Sequence, residues 1–412
     1  MNQKWLTPLL LIGALTGWLL GELAGGNEAL DYLMRIARAL FLDALRAVIG
    51  PLILFSLVSG ILQLSATRDM RRLGSTTIFY YLVTTGIAMA IGLATVTWLH
   101  PWTALPPLAD APPLAAGVTL INQSDAGLGA LAAGLLKQML VNPVSALANL
   151  NILGIVTNAM VIGLAALFVL PADSPVITFC HQVTAIIYRI AGWAVMLAPL
   201  GVMGIVYGFV DALRTDLLTQ LLTFSAVVFI ATAVHGFLVL PSLAWALGGM
   251  RPSRLLPSIG SAMVMALTTS SSAATLPVSM QVAEERLGVR RSTASFVLPL
   301  GATINMDGTA LFEGMAAVFL AYLFAIPLDA TGIVAVFIVA MISSIGAPGV
   351  PSGSMAGMQM VLLAVGIPLE AIGLLLLIER PLDTFRTAVN VEGDLVGCVV
   401  TQRLVFGDEQ HG

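Results

Sequence analysis

The chain has 412 residues, 58% of them hydrophobic and 10% charged, with a mean hydropathy of +0.96. That balance excludes an ordinary soluble globular protein and gives a polytopic membrane protein. The formal net charge of −4 says little for a chain this buried, no nucleic-acid partner is expected, and two cysteines, Cys180 and Cys398, make neither a disulfide nor a metal framework.

In chain order, uncharged apolar runs cover Leu6 to Leu20, Ile49 to Leu64, Ile78 to Trp98, Ala191 to Tyr207 and Leu217 to Leu247, the last holding one ionisable residue, His235. Several reach the roughly 20 residues that a bilayer crossing needs. The first run has no cleavable-looking leader character and is expected to stay as a helix. Arg68, Arg71 and Arg72 follow the second run; Arg251 and Arg254 precede a Ser-rich stretch, and Arg286, Arg290 and Arg291 follow it. The positive-inside rule puts those loops in the cytoplasm, whereas Pro101 to Ser124, without Lys or Arg, reads as external. Arg35, Arg38 and Arg46 fit an interfacial or scaffold helix.

Two uncharged segments follow, each with a polar centre. Leu255 to Ala283 centres on Thr268-Thr269-Ser270-Ser271-Ser272-Ala273-Ala274-Thr275, and Thr331 to Leu369 on Ser343 to Ser354, a run rich in Gly and Pro. One helix over the second segment would reach roughly 58 Å at 1.5 Å per residue, and its Gly and Pro forbid an unbroken helix. Each therefore reads as helix, non-helical tip, helix, re-entering from one side, because irregular backbone at membrane depth is tolerated where it lines a cavity. The tips also read as water-exposed loops between full spans, or the Ser run as small-residue packing. No Gly-x-Ser-x-Gly elbow surrounds Ser270 to Ser272, which speaks against a serine hydrolase.

Each hairpin precedes an apolar segment with polar groups inside it. After the first come Asn305-Met306-Asp307-Gly308-Thr309; after the second come Glu379, Asp383, Arg386, Thr387, Asn390 and Asp394. At 100° per residue the latter six share an arc of about 100°. Intramembrane ionisable groups mark a substrate or ion path. Three carboxylates against one guanidinium give this ladder an excess of negative charge that asks for cations; a structural salt-bridge network is the competing reading. Hairpin–helix occurring twice suggests a repeat with the binding site between the copies.

These residues resemble the dicarboxylate/amino acid:cation symporter family, the glutamate and aspartate transporters. The resemblance rests on Asn305-Met306-Asp307-Gly308-Thr309, the Ser-rich tip, the Gly349-Val350-Pro351 tip, and Asp383-x-x-Arg386-Thr387-x-x-Asn390-x-x-x-Asp394. It implies an all-α polytopic fold of eight transmembrane helices with two re-entrant hairpins, assembled as a homotrimer in the lipid bilayer. Residues 1–72 would be scaffold helices one and two, 73–100 helix three of a transport unit, and 101–213 an external loop with scaffold helices four and five. Residues 214–412 would complete the transport unit: helix six, hairpin 1 at about 252–284, helix seven at about 292–325, hairpin 2 at about 331–368 and helix eight at about 369–402.

For substrate, the resemblance implies contacts from Asp383 to an amino group, Arg386 to a side-chain carboxylate, and Thr387 and Asn390 to the remainder, with Ser271 and Ser272 of the first tip. Thr309 and Gly349, Val350 and Pro351 would close over the ligand. An arginine fork suits a carboxylate bidentately. Three sodium sites are implied as well: Asp394 with carbonyls of Gly301, Asn305 and Asn390; Asp307 with Asn305, Tyr81, Thr84 and Thr85; and carbonyls of Thr303, Ser344, Ile345 and Ala347. Hard oxygen donors suit such a cation. Glu313 resembles the proton-carrying position of proton-coupled members, or else is a capped structural carboxyl.

The chain departs from the family at Glu379, where many members have Asp, at Ala273, where many have Ser, and in a tip richer in Pro and Ser. The resulting expectation is a non-enzymatic, elevator-type symporter that imports L-aspartate or L-glutamate with sodium, protons or both, with no cofactor beyond the co-transported ions. It would sit in the plasma membrane, the inner membrane of a bacterium, with a cytoplasmic N-terminus. The rivals are a proton- or sodium-coupled C4-dicarboxylate or neutral amino acid symporter on the same fold, an anion channel, and an intramembrane enzyme. Asp383 disfavours a ligand without an amino group.

Overall fold

A computed structural model describes residues 6–24, 26–62, 68–100, 139–171, 173–208, 215–346, 354–369 and 371–407, with isolated positions at 133, 136 and 137. The described residues form helices and connections, with no strand among them. In chain order they are α1 (Leu6–Ala24), α2 (Glu28–Leu62), α3 (Arg68–Trp98), α4 (Pro143–Ala148), α5 (Ile152–Val169), α6 (Pro175–Met196), α7 (Ala198–Gly208) and α8 (Thr215–Val234). A π-helical turn (His235–Val239) joins α8 to α9 (Leu240–Ala246). Then follow α10 (Pro252–Thr269), α11 (Ser272–Glu285), α12 (Arg291–Ile304), α13 (Asp307–Leu323), α14 (Ala330–Gly346), α15 (Ser354–Ala364) and α16 (Ala371–Phe406).

Both hairpin segments fold as helix, break, helix. The first breaks at Ser270, whose left-handed backbone (φ 48, ψ 39) ends α10; Ser271 then caps α11, its Oγ accepting from the Ala274 N–H at 3.1 Å. Left-handed backbone stops a helix, and a serine N-cap starts the next. The second consists of α14 and α15, which pack on each other; the residues between them, 347–353, lie outside the described set.

The segment expected as a continuous helix near 292–325 is divided into α12 and α13 by non-helical backbone at Asn305 (φ −92, ψ 90) and Met306 (φ −120, ψ 51). The break leaves terminal carbonyls of α12 and N–H groups of α13 outside the helical ladder, deep in the protein, where Asn305, Met306 and Asp307 are buried.

Among the described residues, three segments are long and apolar enough to cross a bilayer: Arg72–Trp98, Leu217–Ala246 and Arg291–Leu323. A bent pair, Pro175–Ala194 with Ala198–Gly208, makes a fourth if taken as one. The eight crossings implied by the resemblance also need shorter apolar helices and α16. That helix is 36 residues long, so length does not disqualify it; the charges from Glu379 to Asp394 lower its apolarity.

α1 packs on α7, and α2 packs on α5, α6 and α7. α16 lies against α10 and α11 of the first hairpin, α12, α13, α3 and α8. The polar ladder is thus surrounded by protein, which is how a membrane helix keeps such groups out of lipid.

Candidate functional site

Arg386 is the centre of the polar cluster. It is 1% exposed and lies on α16, with its guanidinium carbon 3.9 Å from the centre of the Phe312 ring on α13. Its Nη2 donates to Glu379 Oε1 at 3.0 Å, Asp383 Oδ1 at 3.2 Å and Ser354 Oγ at 3.1 Å. Ser354, at the start of α15, donates in turn to Glu379 Oε1 at 3.2 Å. Nη2, which both carboxylate-gripping edges of the guanidinium share, is therefore committed. Nε and Nη1, one on each of those edges, have no hydrogen-bond partner among the described residues. An uncompensated buried donor is costly, so each can take an acceptor oxygen.

The helix break sits beside this cluster and is held from α16. Asn390 Oδ1 accepts from the Gly308 N–H at 2.8 Å, satisfying a donor that the break freed. Its Nδ2 donates to Thr309 Oγ1 at 3.2 Å and meets Met306 Sδ at 3.3 Å. Thr387 is buried one helical turn after Asp383. Asp383, Arg386 and Asn390 of α16 and Thr309 of α13 thus lie close together, with Thr387 buried on the same stretch of α16.

Two carboxylates occupy the other side of the break. Asn305 Nδ2 donates to Asp394 Oδ1 at 2.9 Å and reaches the Asn390 carbonyl at 3.4 Å, while Asn305 Oδ1 is buried without a partner among the described residues. Gly301 belongs to this group by close approach: a Cβ there would collide with Asp394 Oδ1 and the Tyr81 hydroxyl. Asp307 accepts at Oδ1 from Thr85 at 2.7 Å and Thr84 at 3.3 Å. Tyr81, expected with Asp307, turns its hydroxyl to the Val297 carbonyl at 3.1 Å, on the Gly301 and Asp394 side.

No group of three or more His, Cys, Asp or Glu that could hold a metal ion occurs among the described residues. The donors are single carboxylates with hydroxyls and backbone carbonyls, a hard oxygen set suited to an alkali cation rather than a transition metal.

Of the third expected cation group, Thr303 and Ser344 direct their hydroxyls to the Leu300 and Met341 carbonyls of their own helices. Ile345 is the penultimate residue of α14, while Ala347 and the tip residues Gly349, Val350 and Pro351 lie outside the described residues. In the first tip, Ser271 Oγ is committed to capping α11, and Ser272 is buried as that helix's first residue. Glu313 is fully buried on α13, next to Ser343 of α14 and to Gly357 of α15, where a Cβ would collide with the Glu313 carboxylate. Glu313 therefore faces the junction of the second hairpin's two arms.

Five side chains at the site escaped the sequence reading. His235, in the π turn, places Nε2 3.0 Å from Asp307 Oδ2; a carboxylate acceptor there puts the proton on Nε2. No local motif links residues 72 positions apart, and only the solitary ionisable group in an apolar run signalled it. Ser354 and Phe312 are likewise joined to Arg386 only by the fold. Thr384 Oγ1 lies 3.1 Å from Ser270 Oγ, tying the first tip to α16. Arg380, whose Nη1 is 3.7 Å from Asp383 Oδ2, was legible from its i,i+3 spacing. It alters the charge count: the ladder's end at Glu379 and Asp383 has two guanidinium partners, so the negative excess moves toward Asp394 and Asp307.

Comparison with known proteins gives a consistent set of likenesses. The profile of the sodium:dicarboxylate symporter family matches residues 6–404. The neutral amino acid transporter B(0) of Oryctolagus cuniculus is 32% identical, covering 100% of this chain and 82% of that protein. An excitatory amino acid transporter of Caenorhabditis elegans is 30% identical, covering 94% and 84%. Excitatory amino acid transporter 2 of Homo sapiens is also 30% identical, covering 96% and 79%.

Proposed function

Since this chain belongs to the sodium:dicarboxylate symporter family, whose members are multi-pass membrane transporters and not enzymes, we propose that it imports an acidic amino acid, L-aspartate or L-glutamate, by symport with sodium. The observation that carries the acidic substrate is the buried Arg386 guanidinium, whose Nε and Nη1 have no partner among the described residues. A neutral side chain would leave those buried donors unmatched at a cost of about 1–3 kcal/mol or more. In this reading the substrate side-chain carboxylate bonds to this guanidinium and Asp383 receives the amino group. Thr387, Asn390, Thr309 and the two hairpin tips enclose the remainder, from Ser271–Ser272 and Gly349–Pro351.

Sodium ions bind as co-transported cargo around Asp394 with Gly301, Asn305 and Asn390, on whose side the Tyr81 hydroxyl lies, around Asp307 with Asn305, Thr84 and Thr85, and at the carbonyls of Thr303, Ser344, Ile345 and Ala347. Glu313, against the junction of the second hairpin, is the position for a coupled proton. The work is done by coupling: cations neutralise the carboxylates on one side of the helix break, and closure of the second hairpin follows. We assign residues 1–72 and 101–213 to a trimerising scaffold and 73–100 and 214–412 to a moving unit in an elevator-type cycle. The trimer would sit in the plasma membrane, a bacterial inner membrane included, with the N-terminus cytoplasmic.

A neutral-substrate reading has support in the names of the B(0) relatives. Uptake of labelled L-aspartate and L-serine into proteoliposomes decides between them, with an inward sodium gradient and then a pH gradient alone. Sodium-driven accumulation of L-aspartate in preference to L-serine is the expected result. Preference for L-serine would overturn the acidic substrate; accumulation driven by pH alone would overturn sodium coupling.

A further inference from the structure

Asp383 is flanked by two arginines. Arg380 and Arg386 lie three residues before and after it on α16, offset by about 60° to either side. Arg386 Nη2 faces Oδ1 at 3.2 Å, and Arg380 Nη1 faces Oδ2 at 3.7 Å. The two partners differ in environment: the Arg386 side chain is 1% exposed and that of Arg380 is 26% exposed. The Arg380 carbonyl accepts from Thr384 Oγ1 at 3.1 Å, the same hydroxyl that meets Ser270 of the first hairpin tip. Arg380 therefore stands where the polar cluster opens beside that tip, with one hand on the carboxylate assigned to the substrate's amino group.

Resting on the acidic-amino-acid reading of the site, we infer that Arg380 is a specificity-determining residue that limits how much a substrate's amino group contributes to binding. An ammonium reaching Asp383 must share the carboxylate with a resident guanidinium, and the two cations repel. A dicarboxylate without an amino group leaves the Arg380–Asp383 pair intact and still finds Arg386. The site then discriminates weakly between an acidic amino acid and a plain C4 dicarboxylate. The pair is partly exposed and its separation long, so its influence is moderate; ion pairs near the surface change equilibrium constants by at most about fivefold.

The test is competitive binding of L-aspartate and succinate to the purified, detergent-solubilised full-length protein, read by thermal-shift titration in sodium. Wild type, Arg380→Gln and Arg380→Lys are compared. The expected result is that the ratio of succinate to L-aspartate dissociation constants rises more than twofold, up to about fivefold, in Arg380→Gln and stays near wild type in Arg380→Lys, which keeps the charge. A merely structural role would weaken both ligands together and leave the ratio unmoved. A ratio in Arg380→Gln within twofold of wild type would overturn the inference, as would an equal rise in Arg380→Lys. Wild-type protein that binds neither ligand would overturn the acidic-substrate reading itself, and this inference with it.

Discussion

At the scale of single residues, the site separates two kinds of carboxylate. Glu379 and Asp383 answer to arginines, at 3.0 Å from Arg386 for the first and between Arg380 and Arg386 for the second. Asp307 and Asp394 answer to other donors: two threonine hydroxyls and an imidazole for one, an asparagine amide for the other. The first pair is charge-matched within the protein, and the second has no arginine partner among the described residues. Arg386→Cys is predicted to abolish uptake of acidic substrates, since removing one partner of a buried charge pair costs about 3–5 kcal/mol, and to admit neutral ones such as serine. Labelled uptake of both amino acids checks it, and unchanged L-aspartate uptake would refute the role given to Arg386. The ladder was readable in the sequence because helical spacing turns Glu379, Asp383, Arg386, Asn390 and Asp394 into one stripe. His235 and Ser354 were not, because each joins the stripe through a helix that packing alone brings there.

At the scale of elements, the division of α12 from α13 at Asn305–Met306 is the feature that spacing did not disclose. Asn and Met are both tolerated inside helices, and what stabilises the break is Asn390, more than eighty residues on, which binds Gly308 N–H and Thr309. By contrast the first hairpin's break was legible, since hydroxyl residues compete locally for the backbone and Ser271 does so. Asn390→Ala would strand the buried Gly308 N–H at a cost of about 1–3 kcal/mol. The expected outcome is a thermal midpoint lower than wild type in the absence of substrate, together with a loss of sodium-induced stabilisation. A variant that melts like wild type, with its sodium shift intact, would show that the break is held by other contacts.

At the scale of the whole molecule, the hydropathy of the chain announced a membrane protein, and the helical architecture and family membership agree. Composition could not tell which helices move together. The packing of α16 against α3, α8, α10, α11, α12 and α13 gathers most of the described segments that carry candidate site residues around one helix.

That arrangement has a consequence for biogenesis. From Glu379 to Asp394, α16 carries four carboxylates and two arginines among its apolar residues, and charged residues at a helix centre oppose insertion by about 2.5–3.5 kcal/mol each. Such a segment has no stable residence in lipid by itself. It must be accepted by helices already assembled, so the binding helix is admitted to the membrane late, as a guest of its own neighbours. Fused alone to a glycosylation reporter, residues 371–407 are expected to pass through the translocon or fail to enter, whereas the same residues behind the full upstream chain should insert. Efficient insertion of the isolated segment would refute this dependence.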